Sequence, residues 1–159
     1  MRPLLLIALV VLVGLGGCNK YEEGPALSLR SALDRVAGTK KVVWYKVNGV
    51  DSLSHFLDVT FAGCENSFVF TDEDDTSPDR NTYIIINCVD SLNQSTTGKW
   101  RFVAKNKTKI YIRIVVSTKL GIQVVNFTAE WNIVRLTKEE MWLERTENGK
   151  SYELRFEGI

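Results

Sequence analysis

The stretch MWLERTENGKSYELRF, residues 141–156, decides the fold class. Two runs with the composition of β-strands, Met141–Thr146 and Ser151–Phe156, flank the dipeptide Asn148-Gly149. Asn-Gly is a preferred two-residue turn between antiparallel strands, because both of its residues tolerate a positive φ. The sequence therefore predicts a β-hairpin at the end of the chain.

Similar runs occupy most of the chain before this hairpin, and in each of them one face is apolar and the other polar. They are Lys41–Val47, His55–Phe61, Ser67–Thr71, Thr82–Val89, Gly98–Ala104, Lys109–Ser117 and Ile122–Val134. Strands of this kind in series, with mostly short connections, are typical of an antiparallel meander, and closing the meander removes its exposed edges. We expect an all-β, up-and-down barrel of eight to nine strands, preceded by a short helix that begins at Ser28 and stops at Gly38. A β-sandwich has the same strand signature and is the alternative.

The N terminus reads as an export signal. Arg2 precedes an unbroken apolar run, Leu4–Val13. A run of this length suits a signal peptide and is too short for a membrane span, which needs about 20 residues. The following Leu15-Gly16-Gly17-Cys18 resembles a lipobox, which implies cleavage before the cysteine and acylation of its thiol, with palmitate among the acyl groups. The predicted boundaries are a signal peptide over 1–17, a lipidated tether over 18–27 and a barrel domain over 28–159.

The charge balance of the mature chain excludes a nucleic-acid-binding footprint. Removal of the signal peptide leaves 159 − 17 = 142 residues with 20 − 1 = 19 Lys+Arg against 19 Asp+Glu. We therefore expect no nucleic-acid partner, and attachment to the membrane through the acyl chains alone. No catalytic framework surrounds a nucleophile, and no cluster has metal-ligand spacing. The sequence thus predicts a protein that is not an enzyme and has no catalytic residues, metal or cofactor.

Several motifs together are similar to the lipocalin-like lipoprotein domains of Gram-negative bacteria. They are Gly38-Thr39-Lys40-Lys41-Val42-Val43 after the short helix, Gly98-Lys99-Trp100 at the start of a later strand, and Trp131-Asn132-Ile133-Val134-Arg135-Leu136-Thr137 before the last hairpin. The resemblance covers most of the mature chain. It implies an outer-membrane lipoprotein, on the periplasmic face or the cell surface, whose barrel has a ligand mouth at one end. Lys40 stands where these domains have the tryptophan that plugs the closed end, and Trp44 is the expected substitute.

The alternation of strand ends assigns the two rims of this barrel. With His55–Phe61 as the second strand, the N-terminal helix, Cys64 and Cys88 share one rim, and we expect a disulfide between the two cysteines. The opposite rim is the predicted mouth. It carries the loops Asn48–Ser54, Asp72–Asn81, Lys105–Thr108 and Arg135–Glu140.

The predicted ligand is a small hydrophobic molecule. It would enter between the first two of these loops and rest against Trp100, Phe102 and Trp131. Three polar side chains at the rim would orient its polar end: Tyr45, His55 and Tyr83. The alternative function is that of an interaction protein, an inhibitor or an accessory subunit of a surface complex, working through the distal loops. An internal cavity would favour the first function, and a packed interior with an exposed aromatic patch at the distal rim would favour the second.

Overall fold

The computed structural model describes residues 31–61, 64–72, 82–88, 95–103, 105–117 and 124–159. The predicted signal peptide, the lipidation site Cys18 and the tether lie outside these residues, as does most of the loop Asp72–Asn81. Among the described residues, no helix is both long enough and apolar enough to cross a membrane.

The described elements are mostly strands. In chain order they are α1 (Ala32–Val36), β1 (Gly38–Val47), β2 (Val50–Asp51), α2 (Leu53–His55), a π-helical turn (Phe56–Thr60), β3 (Cys64–Asp72), β4 (Thr82–Cys88), β5 (Ser95–Phe102), β6 (Lys109–Ser117), β7 (Val124–Leu136), β8 (Glu140–Glu147) and β9 (Lys150–Gly158). Helix α1 begins one turn later than expected. Its N-cap is Ser31, whose hydroxyl accepts the N–H of Asp34, while the Asp34 carboxylate accepts the N–H of Ser31.

The strands form a closed antiparallel barrel. Each strand from β3 to β8 pairs with the next one in the chain, and β1 pairs with both β3 and β9, so that eight strands close on themselves. The two-residue β2 is an addition at the end of β1, where Lys46 and Val47 pair with Asp51 and Val50. The predicted up-and-down barrel is confirmed, and the sandwich alternative is excluded by the β1–β9 pairing.

The predicted Asn148-Gly149 turn is present, and Asn48-Gly49 forms a second turn at the same rim. Asn48 and Gly49 have φ of +52° and +77°, and Asn148 and Gly149 have φ of +51° and +74°. These are the left-handed conformations that a tight hairpin turn requires. The turns are joined by hydrogen bonds, because Asn48 N–H donates to Ser151 O at 2.8 Å and Ser151 N–H donates to Asn48 Oδ1 at 2.9 Å.

The alternation along each strand places one face in the interior. The largest side chains with almost no exposure are Trp100, Trp131, Lys40, Phe61, Phe68, Phe70, Phe156, Ile84, Ile86, Ile110, Ile112 and Ile114. The interior of an eight-stranded barrel is just wide enough for side chains of this size to fill it. Gly98 makes room on β5, where an added Cβ would lie 2.4 Å from the carbonyl oxygen of Arg113.

One predicted strand, His55–Phe61, is wrong. The segment is helical, formed by α2 and the π-helical turn. Leu53, Phe56, Leu57 and Phe61 recur at helical spacing, whereas Leu57, Val59 and Phe61 alternate as in a strand, so the sequence carries both periods. The Asp51 carboxylate accepts the N–H of Leu53 at 3.0 Å and starts the helix, and Ser54 Oγ donates to Asp58 Oδ2 at 2.8 Å across one turn.

The predicted assignment of the rims is wrong for the same reason. With one strand fewer, the N-terminal helix lies at the end of the barrel that carries residues 103–108 and 137–139, which we call the helix rim. The opposite end, the hairpin rim, carries the two Asn-Gly turns and α2 with its π-helical turn. The loops Asn48–Ser54 and Asp72–Asn81 therefore start from opposite rims, because Asp72 and Thr82 pair at the helix rim.

The helix rim is closed by α1 and the turn before β8. Arg35 Nη1 donates to Leu136 O at 3.2 Å, and Val36 and Leu136 are fully buried. Lys40 is 1% exposed, and its Nζ donates to Lys138 O at 2.8 Å. Burial lowers the pKa of Lys40, opposed in part by the carboxylate of Glu139. Lysine thus occupies the position of the expected tryptophan, whereas Trp44 points to the outside and does not plug this end.

We expect the variant Lys40→Met to be more stable than the wild type at neutral pH, by on the order of 1 kcal/mol, because a desolvated charge is replaced by an apolar chain of similar length. A lowered pKa means that the folded wild type binds fewer protons than its unfolded chain between that pKa and 10.5. The wild type therefore gains stability with rising pH across this window, and the advantage of the variant should shrink.

Urea unfolding at intervals from pH 7 to pH 10.5 measures the difference, with the exposed neighbour Lys41→Met as the control. A difference that is constant with pH, or one that Lys41→Met reproduces, would contradict the burial of a charged Lys40.

Candidate ligand-binding site

The barrel wall has a break between β1 and β3. Their ladder has three pairs, the last between Lys40 and Phe68, whereas β1 and β9 pair from Lys40 to Val47. Beyond the last pair, the side chain of Asn66 makes the hydrogen bonds to β1 that a backbone partner would otherwise make. Its Oδ1 accepts the N–H of Val42 at 2.9 Å, and its Nδ2 donates to Val42 O at 2.8 Å. The two strands are therefore bridged by a side chain toward the hairpin rim, where backbone pairs would otherwise continue.

The segment Leu53–Thr60, which we call the cap helix, lies at this break. The residue before it, Ser52, is bound to β1, because its N–H donates a hydrogen bond to Tyr45 O at 2.9 Å. Phe56 is 3% exposed, and its ring stacks on that of Tyr45 with centroids 4.4 Å apart. Leu53 and Leu57 are partly buried against the same core. The cap helix thus buries an apolar side against the interior at the hairpin rim.

From the cap helix, aromatic rings continue through the interior to the helix rim. The successive contacts, with centroid distances from 4.4 to 6.3 Å, are Tyr45–Phe56, Phe56–Phe61, Phe61–Phe68, Phe68–Phe156, Phe156–Phe70, Phe70–Trp100 and Trp100–Phe102. All but the first are edge-to-face, a favoured arrangement of aromatic pairs. This aromatic column makes the interior a packed one, in which a ligand has to displace a side chain.

Four of the predicted ligand-binding residues line this interior. Trp100 is buried in the column, and its Nε1 donates to Thr71 O at 3.0 Å. Phe102 ends the column at the helix rim, half-buried. Trp131 is fully buried on β7, and Tyr45 lies half-buried under the cap helix. Whether these residues bind a ligand stays a prediction.

The other two residues do not join them. His55 is exposed on α2, because the helix turns it away from the interior face that a strand would have given it. Tyr83 alternates with the buried Ile84 and pairs with Thr71 and Lys99, which places it on the outer face near the helix rim. The predicted trio of rim side chains is therefore wrong for His55 and Tyr83. The predicted entrance between the two loops is also wrong, since they start from opposite rims.

Two polar side chains in the interior were missed. Arg145 shares the inward face of β8 with Met141 and Leu143, and Tyr152 shares that of β9 with Leu154. The Arg145 guanidinium carbon lies 4.4 Å from the ring centre of Tyr152 and 4.9 Å from that of Trp131. The alternation of the last hairpin already pointed both residues inward. They were overlooked because arginine near a turn usually indicates a solvated face.

Tyr45 belongs to the same group as Arg145 and Tyr152. Burial raises the pKa of Tyr45, the charge of Arg145 acts in the opposite direction, and Tyr152 adds to the increase. The Tyr45 hydroxyl therefore stays protonated at neutral pH and can donate a hydrogen bond. Together the three residues place one cation and two phenols at the hairpin rim, between the cap helix and Trp131.

Cys64 and Cys88 are direct partners in the β3–β4 ladder. Opposite residues of antiparallel strands have Cα atoms about 4.5–5.5 Å apart, which is within the range of a disulfide. The expected bridge therefore stays a prediction, with a different backbone geometry: the two residues are ladder partners on neighbouring strands near the hairpin rim, and no strand lies between them.

The outer wall at the barrel closure carries a row of indoles and cations. Arg155 lies between Trp44 and Trp142, with its guanidinium carbon 4.9 and 4.2 Å from their ring centres. Arg135 covers Trp142 at 5.1 Å, and Lys46 covers Trp44 at 4.0 Å. These contacts span four neighbouring strands, and we call this surface the Trp–Arg row.

No protein-family model matches this chain, and no curated protein matches it either.

Proposed function

We propose that this chain is a lipid-anchored outer-membrane protein whose barrel binds a small hydrophobic molecule at the hairpin rim, beneath the cap helix. The observation that carries the proposal is the break in the β1–β3 ladder, which is covered by a short helix and not by a strand. Among the described residues, Ser52 N–H donates to Tyr45 O just before this helix and Phe56 packs on Tyr45, and a helix held in this way can move without opening the barrel. π-Helical turns are rare and occur frequently at functional sites.

The ligand takes the place of the Phe56 ring. In the closed form, Phe56 stacks on Tyr45 and contacts Phe61 edge-on, with centroids 4.4 and 5.0 Å apart. When the cap helix swings outward, these rings leave an aromatic-lined space that connects with the interior column. Aromatic walls supply a large contact area at a low entropic cost, which suits an apolar ligand of modest size.

The proposed anchor is consistent with this orientation. The helix rim carries α1, and twelve residues, 19–30, separate Ser31 from Cys18. Such a segment reaches at most roughly 40 Å when fully extended. A chain held through Cys18 can therefore turn its helix rim toward the bilayer and leave the hairpin rim free for a ligand.

A second candidate function is that of an interaction protein, and both the packed interior and the Trp–Arg row favour it. Tryptophan and arginine are the residues most enriched at the energetic centres of protein interfaces. Trp44, Trp142, Arg135 and Arg155 are all partly exposed on one outer face. The interaction surface would then be the outer wall of β1, β7, β8 and β9, and not the distal loops that the sequence suggested.

The variant Phe56→Ala tests the hydrophobic site. Removing this ring should lower stability by about 3 kcal/mol and should tighten the binding of a neutral probe several-fold, because the ligand no longer has to displace it. Fluorescence titration with N-phenyl-1-naphthylamine measures the affinity, in a mature chain that carries Cys18→Ser and therefore no lipid.

The matched control is Leu136→Ala, which creates a cavity at the closed helix rim. It should destabilise the chain without tightening probe binding. If neither the wild type nor Phe56→Ala binds the probe, or if Leu136→Ala tightens binding equally, the proposed site is wrong.

The variant Cys18→Ala tests the anchor. We expect it to lose both metabolic labelling by palmitate and retention in the membrane fraction, because one thiol carries the attachment. The matched control is Cys88→Ala, which should keep both. Palmitate labelling that persists in Cys18→Ala would overturn the lipoprotein assignment and leave the barrel site untouched.

A further inference from the structure

Arg145 is an unusual residue for the interior of an apolar barrel. Its side chain is 16% exposed, although arginine is almost never deeply buried without a partner. Its guanidinium carbon lies over the rings of Tyr152 and Trp131, the second of which is fully buried. The cation is therefore held in place by two aromatic rings at the inner side of the hairpin rim.

The hydrogen bonds of Arg145 leave one side of the guanidinium available. Nη1 donates to Glu147 Oε2 at 2.7 Å, and the Glu147 side chain is 54% exposed on the solvent side. The Nε atom is buried and has no hydrogen-bond partner among the described residues. A buried N–H without an acceptor costs about 1–3 kcal/mol, so this side of the guanidinium favours any ligand that brings an oxygen.

The neighbouring side chains suit the same kind of ligand. Tyr152 is the direct ladder partner of Arg145, and Tyr45 lies on the next strand beside Leu154. Both phenols can donate a hydrogen bond to an anionic oxygen, while Phe56, Phe61 and Phe68 continue the apolar path inward. The group formed by Arg145, Tyr152 and Tyr45 thus stands between solvent and an aromatic interior.

We propose that Arg145, with Tyr45 and Tyr152, binds the carboxylate of an amphiphilic ligand whose hydrocarbon chain lies along the aromatic column. The two oxygens of a planar carboxylate can accept two parallel N–H hydrogen bonds from the Nε side of the guanidinium. Such a contact is bidentate and charge-assisted. Glu147 competes for the same cation from the solvent side. This inference rests on the proposed hydrophobic site and adds the head-group class to it.

The test compares two ligands that differ only in the head group, octanoate and 1-octanol. Isothermal titration uses the full lipidated protein in phosphatidylcholine nanodiscs, with empty nanodiscs as the blank. The wild type should bind octanoate more tightly than octanol. Arg145→Met should weaken octanoate binding by tenfold or more and change octanol binding by less than about twofold, because only the first ligand carries a charge.

Three further variants separate a head-group site from general damage. Arg145→Lys keeps the charge but loses the planar pair of donors, and it should fall between wild type and Arg145→Met for octanoate. Glu147→Gln removes the competing anion and should tighten octanoate binding. Arg101→Met is the matched control, because Arg101 stacks on Tyr111 at 5.3 Å on the outer face and should change neither affinity.

The outcomes distinguish the two proposals. Equal affinity of the wild type for octanoate and octanol, or a parallel loss of both in Arg145→Met, would overturn the head-group inference while leaving the hydrophobic site in place. Failure of both ligands to bind the wild type would overturn both proposals. An octanoate-specific loss in Arg101→Met would also contradict the assignment to Arg145.

Discussion

The pairing of β1 with β9 is the constraint on which the rest of the structure depends. The first and last strands of the barrel pair from Lys40 to Val47, with one bulge between Val42 and Trp44, and this pairing turns an open meander into a closed wall. It also creates the Trp–Arg row, because Trp44 on β1 and Trp142 on β8 lie on either side of Arg155 on β9. The closure is thus supported by backbone hydrogen bonds and by stacked side chains on its outer face.

The break on the other edge of β1 gives the barrel its two different ends. Toward the helix rim, β1 pairs with β3 as well as β9, and α1 covers the interior. Toward the hairpin rim, Asn66 bridges the two strands and the cap helix fills the break. One end is therefore closed by long-range hydrogen bonds from Arg35 and Lys40, and the other by the packing of Phe56 on Tyr45. Packing of a few rings is the easier of the two to exchange for a ligand.

Most of the fold could be predicted from the sequence because the strands alternate and their turns are strongly marked. The Asn-Gly dipeptides at 48–49 and 148–149 define two hairpins, and Ile110, Ile112 and Ile114 identify the inward face of β6. Residues 53–61 could not be assigned in this way, because they satisfy a strand period and a helix period together. Because each strand reverses the chain direction, counting one strand too many placed Cys64 and Cys88 at the rim of the N-terminal helix, whereas they lie at the opposite rim.

The candidate site was only partly predictable for a related reason. Trp100 and Trp131 follow from alternation alone, and the same alternation with Ile84 and Ile86 already places Tyr83 on the outer face. Arg145 could have been found, because Met141 and Leu143 fix the inward face of β8. The Trp–Arg row could not have been found from the sequence. Its members come from four strands, and their proximity can be predicted only when the register between those strands is known.

Hydrogen–deuterium exchange with and without N-phenyl-1-naphthylamine tests the central claim, that a ligand enters beneath the cap helix, most directly. Our account predicts that the probe changes exchange in Leu53–Phe61 and Val43–Val47, and leaves α1 and residues 137–139 unchanged. A change confined to the helix rim, or no change in any segment at saturating probe, would contradict it.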